Sequence, residues 1–418
     1  MALSVSLILT ACGGGGSSSS TTNTPSANSG STSSGATSTG STSTGSSGSS
    51  TSASHFLYTT AMNRTGPTPD TITGTTSGTT IYAIGAKGVL SSTSSVNVNA
   101  DGLYIDPTGK FAYIPVHNLG STLTSNETLN QYAVNADGSL SPLSVPTIST
   151  HFLSGWAIHI VFDPLGKFAY VTGTINNSTD PLTLSNIRDV IETYAVGSNG
   201  SLSLISTTME PHGTHVSDIA VNPITNTVYT VRLNQTPYGT TTVNAYSIGS
   251  KGALAAIGSP LTFNASGRGI AIDPAGKFAY IIADITSSDS LVYEYTVASN
   301  GALTPMTTPS VSAGNIPMQM AIDPSGKYAY VINLASNNIS QFTIGANGRL
   351  SPMAMPIVTA IEPNFIGLDP AGGSIYVGSV STGNITSYAI GSNGSLTVGA
   401  TTHISNTTYG SVTFITTH

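Results

Sequence analysis

The chain has 418 residues, of which only 7% are charged, and a formal net charge of −7. That charge argues against a nucleic-acid partner, which would call for a basic stripe, and no stretch approaches the roughly 18 apolar residues of a membrane span. Cys12 is the only cysteine, so an internal disulfide or a thiolate metal site is excluded.

The first 54 residues differ in composition from the rest. Residues 1–11 form a short apolar segment ending in Leu9-Thr10-Ala11, directly before Cys12. This resembles the bacterial lipobox, in which small residues precede a cysteine that is cleaved and lipidated, although no Lys or Arg precedes the apolar run. We expect an exported protein, anchored by a lipid on Cys12 to a bacterial membrane, at the outer membrane or cell surface. The alternative is a disordered N-terminus with a chance cysteine.

Residues 12–54 consist almost wholly of Gly, Ser and Thr. Such composition is typical of a flexible tether. Residues 55–418 are predicted to form the folded domain.

One phrase recurs along that domain: an apolar strand, Asp-Pro-x-Gly-Lys, and then aromatic-Ala-Tyr. Full copies begin at Asp106, Asp163, Asp273 and Asp323, and degenerate copies at Asn222 and Asp369. Asp, Pro and Gly in this spacing favour a type I turn between two strands. About 20 residues later a Gly-x-x-Gly-x-Leu hairpin follows, often with Asn-Gly, as in Val196-Gly-Ser-Asn-Gly-Ser-Leu202. Each unit therefore holds four antiparallel strands, a to d, and is all-β.

Counting the units predicts how the domain closes. The c–d hairpin and strand b each occur seven times, the first strand b being His55-Phe-Leu-Tyr58. The chain opens without a strand a and ends on an orphan apolar strand, Tyr409–Ile415. We expect that strand to pair into the N-terminal blade and close a seven-bladed β-propeller without free edges. An open stack is the alternative, but it would need polar capping units.

The Asp-Pro-x-Gly-Lys-aromatic-Ala-Tyr units and the following hairpins resemble the lactonase-like seven-bladed propellers. That family includes 6-phosphogluconolactonase and shades into surface proteins with Tyr-Val-Thr-Asn repeats. The resemblance implies lactone hydrolysis, with no cofactor. His159, at the start of a strand a, fits the family pattern, and Arg268 is placed for a contact with a substrate anion. The Asp-Leu-Gly-x-Asp stretch of the family enzymes is not recovered here, and fold alone does not establish activity.

The basic residues sort by connection. Every Lys falls in an a–b or c–d turn, whereas Arg64, Arg188, Arg232 and Arg268 map to b–c or d–a connections, on the opposite, variable face. Guanidinium groups suit carboxylate or phosphate ligands, so Arg64, Arg188 and Arg232 are candidate ligand-binding residues. Four surface ion pairs would explain the same pattern.

Histidines also avoid the a–b and c–d turns. His117 falls in a b–c loop, and the densest polar cluster runs from Glu210 through His212 and His215 to Asp218. His117 and His212 are candidate ligand contacts. His159 or His215 would act as a general base and Arg268 would steady an oxyanion, with Glu210 and Asp218 as the acids. No metal site is assigned, and solvated loop histidines are the plainer explanation.

Two functions follow. The first is a membrane-tethered, non-catalytic propeller that binds a glycan, a peptide or a partner through its variable face. The second is an extracytoplasmic lactone hydrolase with its site in the central funnel. The first is preferred.

Overall fold

The computed structural model describes residues 55–416 except 62–77, 99, 101, 117–125, 154–157, 177–186, 211–213, 235–238, 286–289, 354–357, 360, 370–371, 380 and 405–411. The predicted segments 1–11 and 12–54 thus lie outside the described residues. Within the described ranges, thirty β-strands form seven separate antiparallel sheets. These sheets are the seven blades, and the predicted fold class is confirmed.

The first three blades are built from the following strands. Blade 1 contains β1 (His55–Ala61), β2 (Gly78–Ile84), β3 (Leu90–Val96) and β30 (Val412–Thr416), with a 3-10 turn at Ala86–Gly88. Blade 2 contains β4 (Tyr104–Ile105), β5 (Phe111–Val116), β6 (Asn126–Val134) and β7 (Leu140–Leu153). Blade 3 contains β8 (His159–Phe162), β9 (Phe168–Asn176), β10 (Ile187–Val196) and β11 (Leu202–Met209).

The other four blades follow the same order. Blade 4 contains β12 (Thr214–Asn222), β13 (Thr227–Asn234), β14 (Thr240–Ile248), β15 (Leu254–Ala256) and β16 (Leu261–Phe263). Blade 5 contains β17 (Ser266–Ile272), β18 (Phe278–Asp284), β19 (Ser290–Val297) and β20 (Leu303–Ser312). Blade 6 contains β21 (Pro317–Ile322), β22 (Tyr328–Asn333), β23 (Asn338–Ile344), β24 (Leu350–Pro352) and β25 (Val358–Thr359). Blade 7 contains β26 (Pro363–Leu368), β27 (Ser374–Ser379), β28 (Asn384–Ile390) and β29 (Leu396–His403).

Ring closure occurs as predicted. Strand β30 pairs antiparallel with β1, with His55 opposite Thr416 and Leu57 opposite Phe414. The last strand of the chain thereby becomes the innermost strand of the first blade. This pairing leaves no unpaired edge at the seam.

The repeated turn has a clear physical basis. In blade 2, the Asp106 carboxylate accepts hydrogen bonds from the backbone N–H groups of Lys110 (2.9 Å) and Phe111 (2.8 Å). Gly109 lies at φ +69°, a left-handed conformation that glycine adopts without a Cβ penalty. The local sequence therefore encodes the turn, and the turns of blades 3, 5 and 6 repeat it.

The tyrosine that ends the phrase joins neighbouring blades. Its hydroxyl donates a hydrogen bond to the carbonyl oxygen of the hairpin glycine in the next blade. The six such pairs are Tyr58–Gly138, Tyr113–Gly200, Tyr170–Gly252, Tyr229–Gly301, Tyr280–Gly348 and Tyr330–Gly394, at 2.5 to 3.1 Å. The second strands, which carry these residues, are buried along most of their length, as in the run Val228–Arg232. Blade-to-blade packing thus explains why the phrase repeats.

Candidate functional site

Four of the polar residues singled out by the sequence lie where blades 3, 4 and 5 meet, at the end of the ring opposite the Asp-Pro turns: Glu210, Asp218, Arg232 and Arg268. The inner strands there are β8, β12 and β17, and β12 contacts both of the others. We call the group formed by Asp189, Glu210, Asp218, Arg232, Arg268 and Asp284 the blade 3–5 mouth. Its members come from inner strands, from the ends of the second and third strands, and from a d–a connection.

Asp218 connects the inner strands of blades 4 and 5. Its Oδ2 atom accepts the backbone N–H of Ile270 at 2.9 Å, and its Oδ1 atom accepts that of Ile219 at 2.9 Å. A Cβ on Gly269 would lie 3.2 Å from Oδ2, so glycine leaves room for the carboxylate. Burial raises the pKa of Asp218 to about 7, and the two N–H groups offset burial only in part. A carboxyl group with this pKa exchanges protons near neutral pH.

The same register recurs on other inner strands. His159, Asp218 and Gln319 each lie four residues before the residue that opens the a–b turn. Gln319 repeats the bridge of Asp218, since its Oε1 atom accepts the N–H of Ile366 in the next blade at 3.0 Å. His159 is half-buried, and its backbone N–H bonds to Thr172 Oγ1 at 3.3 Å. This register therefore presents polar side chains at the inner surface of blades 3, 4 and 6.

Arg268 is engaged by a carboxylate of its own blade. It is the extra residue of a β-bulge between Gly267 and Gly269, and its Nε atom bonds to Asp284 Oδ2. The other carboxylate oxygen of Asp284 accepts the hydroxyl of Ser290 at 2.9 Å. Arg268 was predicted to lie in a connection and to contact a substrate anion. It lies instead within strand β17, and its charge is balanced by Asp284.

Arg232 differs most from its prediction. It lies in the middle of blade 4, in strand β13, with 1% of its surface exposed, not in a surface connection. Its Nε atom lies 3.5 Å from Oε2 of Glu210, which is itself 2% exposed. Burying an arginine is tolerated when a carboxylate accompanies it. This residue is therefore part of the protein interior and is not available as a surface ligand contact.

Glu210 is held by blade 4 although it follows the last strand of blade 3. Tyr246 (2.9 Å) and Thr230 (3.1 Å) donate to its Oε1 atom, and Asn244 donates to Oε2 at 2.7 Å. Burial raises the pKa of Glu210, while Arg232 and these donors counteract it. The predicted acid thus joins two blades.

Asp189 is the second carboxylate near Arg232. Burial raises its pKa to about 6; the hydrogen bond from Thr174 (2.9 Å) and the charge of Arg232 act in the opposite direction, and Glu210 adds to the increase. Its Oδ2 atom is buried without a hydrogen-bond partner among the described residues. The prediction missed Asp189, because it follows Arg188 in a segment read as loop.

Other candidates lie elsewhere or outside the described residues. Arg64, His117 and His212 lie outside the described residues. Of His215 only the backbone is described, and it lies in β12 opposite Leu233 of β13. Arg188 was expected in a connection, but it lies in strand β10 opposite Ile175. Among the residues that the structure describes, no group of three or more His, Cys, Asp or Glu side chains is arranged to hold a metal ion.

Asp284 was also missed, although the sequence carried a signal. It ends the buried run Phe278–Ala283, where an acid directly after an apolar strand indicates a side chain at the sheet edge.

No described helix is long and apolar enough to cross a membrane.

Comparison with known proteins agrees with this architecture. Residues 214–412 match the sequence model of the family described as "Lactonase, 7-bladed beta-propeller". No curated protein matches the sequence. Two similar solved structures, from Bacteroides uniformis and Bacteroides fragilis, are each described as a "putative 6-phosphogluconolactonase". The first is 15% identical with a TM-score of 0.65, covering 87% of this chain and 100% of its own; the second is 17% identical with a TM-score of 0.64, covering 88% and 99%.

A third similar structure is the periplasmic gluconolactonase PpgL of Pseudomonas aeruginosa. It is 16% identical with a TM-score of 0.61, covering 86% of this chain and 99% of its own. Identities this low establish the shared fold alone. The fold likeness extends over the blades that precede residue 214, which the family match leaves out.

Proposed function

Since residues 214–412 match the sequence model of the lactonase family of seven-bladed propellers, we propose that this chain is an exported, membrane-tethered protein that binds an uncharged, hydroxyl-rich ligand at the blade 3–5 mouth. A sugar, a glycan end or a sugar lactone has this chemistry. The proposal rests on one observation. The two arginines of the mouth each form an ion pair with a carboxylate, Arg232 with Glu210 and Arg268 with Asp284.

This charge balance bears on the substrate class. A phosphorylated sugar needs cations that are free to meet its phosphate. At the mouth, Arg232 is already paired with Glu210 and Arg268 with Asp284, so an added anion would have to compete with these carboxylates for the arginines. A neutral ligand needs no free cation, and its hydroxyl groups can bond to the partly exposed carboxyl groups of Asp218 and Asp284.

Calorimetric titration of the full chain tests the ligand class. We expect measurable binding within a panel of neutral sugars and sugar lactones, and none with their 6-phosphates. Asp284→Asn removes the partner of Arg268, so this variant should gain affinity for the phosphates. Glu294→Gln serves as the matched control, because it frees Arg349 in the hairpin of blade 6, at the end of the blades opposite the mouth. Tighter binding of phosphates than of neutral ligands by the native protein would contradict the proposal.

Asp218 favours a second candidate function, hydrolysis of a neutral lactone. Its carboxylate would take a proton from the water that attacks the lactone carbonyl carbon. The acyl C–O bond then breaks, and the ring oxygen leaves as a hydroxyl carrying a proton. A base is most effective when its pKa lies close to the working pH, and burial raises the pKa of Asp218 to about 7.

Acid release from neutral lactones, followed in a pH-stat, distinguishes the two functions. A hydrolase should show a rate that rises around pH 7 and is lost in Asp218→Asn. Gln319→Asn is the control, because Gln319 holds the same register in blade 6. A native rate equal to buffer at every pH removes the hydrolase and leaves the binding function standing.

Export and anchoring rest on the segment before the propeller. The likeness in fold to a periplasmic gluconolactonase supports a location outside the cytoplasm. Cys12→Ala should move the protein from the membrane fraction to the soluble fraction, and deletion of residues 13–54 should leave the propeller folded. A Cys12→Ala protein that still sediments with membranes contradicts the lipid anchor.

A further inference from the structure

The a–b turns of blades 2 to 7 follow one another around one end of the propeller. Successive turns pack on one another: a Cβ at Gly166 would lie 3.4 Å from Pro107, and one at Gly326 would lie 3.5 Å from Pro274. Four of these turns carry an exposed lysine at the same position, namely Lys110, Lys167, Lys277 and Lys327. An exposed ammonium group therefore lies on the a–b turn of four blades.

The hairpins add two more lysines at this end of the molecule. The a–b turns and the c–d hairpins lie together, because the carbonyl oxygen of Lys110 accepts the N–H of Val134 at the start of a hairpin (2.8 Å). Lys87 and Lys251 are exposed in hairpins of blades 1 and 4. We call the surface formed by these six residues, Lys87, Lys110, Lys167, Lys251, Lys277 and Lys327, the lysine face.

The turn carboxylates of this end lie behind the lysines, whereas Asp137 in the hairpin of blade 2 is exposed. Each turn aspartate is turned inward to accept backbone N–H groups, as Asp273 does from Lys277 and Phe278, both at 2.6 Å. Asp106, Asp163, Asp273 and Asp323 are 4 to 7% exposed. They and Asp137 weaken the long-range field of the lysine face, but among the described residues of this end the six exposed ammonium groups outnumber the one exposed carboxylate.

The N-terminal segment enters the propeller at the same end. His55, the first residue of β1, has its Nδ1 atom 3.1 Å from Oδ1 of Asp369 in the turn of blade 7. The chain therefore enters its first strand at the end of the propeller that carries the lysine face. The blade 3–5 mouth and its carboxylates lie at the opposite end.

We propose that the lysine face rests on a bilayer through anionic phospholipid headgroups and so directs the blade 3–5 mouth away from the membrane. Two observations favour anionic headgroups as the occupant. The lysine face exposes positive charge, and the chain enters the propeller at His55 on the same end. The attraction between exposed lysines and an anionic bilayer acts over about a Debye length. It adds to the membrane affinity that a lipid anchor supplies. Attachment of the lysine face to a membrane requires neither ligand binding nor catalysis at the blade 3–5 mouth, so its test is independent of both.

Vesicle cosedimentation tests the proposal with the full chain carrying Cys12→Ala, so that no lipid on the protein contributes. The probes are vesicles of phosphatidylcholine alone and vesicles that also contain phosphatidylglycerol. We expect binding only to the second kind, with loss at high salt. Replacing Lys110, Lys167, Lys277 and Lys327 together by Gln should weaken that binding about tenfold.

A matched control changes the net charge by the same amount at the opposite end of the blades. It places Asp at four exposed polar positions in or beside the outer strands, Thr207, Asn264, Ser312 and Thr401. This variant should bind almost as the native chain does, since its added charges lie away from the bilayer. The proposal is overturned if phosphatidylglycerol gives no binding, if the lysine variant binds like the native chain, or if both variants lose binding equally.

Discussion

The hydroxyl of Tyr113 in blade 2 donates a 2.7 Å hydrogen bond to the carbonyl oxygen of Gly200 in blade 3. Both groups are buried, and the same pair recurs at five other blade boundaries. The most regular residues of the sequence thus serve contacts between blades.

Tyr113→Phe should lower the free energy of unfolding by about 1–2 kcal/mol, because the buried carbonyl of Gly200 loses its donor. Chemical denaturation measures the change. Tyr328→Phe is the control: its hydroxyl also bonds to a carbonyl, that of Ser392 at 3.1 Å, but at an exposed site where water replaces it. Equal losses in the two variants would contradict the role assigned to the buried pair.

Gly200→Ala should destabilise the protein by about 3 kcal/mol, since strain and overpacking combine. Gly200 lies at φ +81°, and its Cβ would fall 2.2 Å from a ring carbon of Phe111. Gly258→Ala separates the two causes, because Gly258 lies at φ +63° with nothing within 4 Å. The control should lose only about 1 kcal/mol. Thermal and chemical unfolding of both variants check the difference.

Arg232→Met should destabilise the protein by about 3–5 kcal/mol, because it leaves Glu210 and Asp189 buried without a cation. Arg349→Met is the comparison, since Arg349 is partly exposed and lies 3.8 Å from Glu294. Its loss should cost less than that of Arg232, because solvent around Arg349 already screens its charge from the buried Glu294. If denaturation at neutral pH shows no larger loss for Arg232→Met, the buried pair does not hold blades 3 and 4 together.

Asp218 makes stability depend on pH. Its folded-state pKa of about 7 lies above its ordinary value of 3.8, so between these values the folded protein keeps a proton that the unfolded chain has lost. The stability contributed by this group is full below pH ~4, falls as pH rises, and is gone above pH ~7.

Asp218→Asn cannot ionise, so it should exceed the native protein in stability at pH 8 by about 1–2 kcal/mol and lose this advantage towards pH 5. Urea denaturation across that range provides the measurement. Asp137→Asn is the control, because hydrogen bonds from Ser139 lower the pKa of Asp137 and keep it ionised throughout. A pH-independent difference for Asp218→Asn would show that its carboxyl group is not protonated in the folded protein.

The charged residues of the interior show which features could not be predicted from the sequence. Arg232 follows the apolar run Val228–Val231, and its charge suggested that the strand had ended there. The strand continues because Glu210, from the preceding blade, lies beside the guanidinium group. Similarly, Arg268 was predicted to contact a substrate anion, and its partner Asp284 could not be named because it lies 16 residues further along, across the a–b turn.

The sequence by itself determined the seven four-stranded blades, the closure by the last strand and the sorting of lysines to one end. These features depend on turns whose donors and acceptors lie within about five residues of each other, as in Asp106 to Phe111, and on strands that repeat. Only the tertiary structure decided which charges are exposed and which are paired. Side chains from different blades meet there, and burial sets the pKa of Asp218 and Asp189 through neighbours that are distant in the chain.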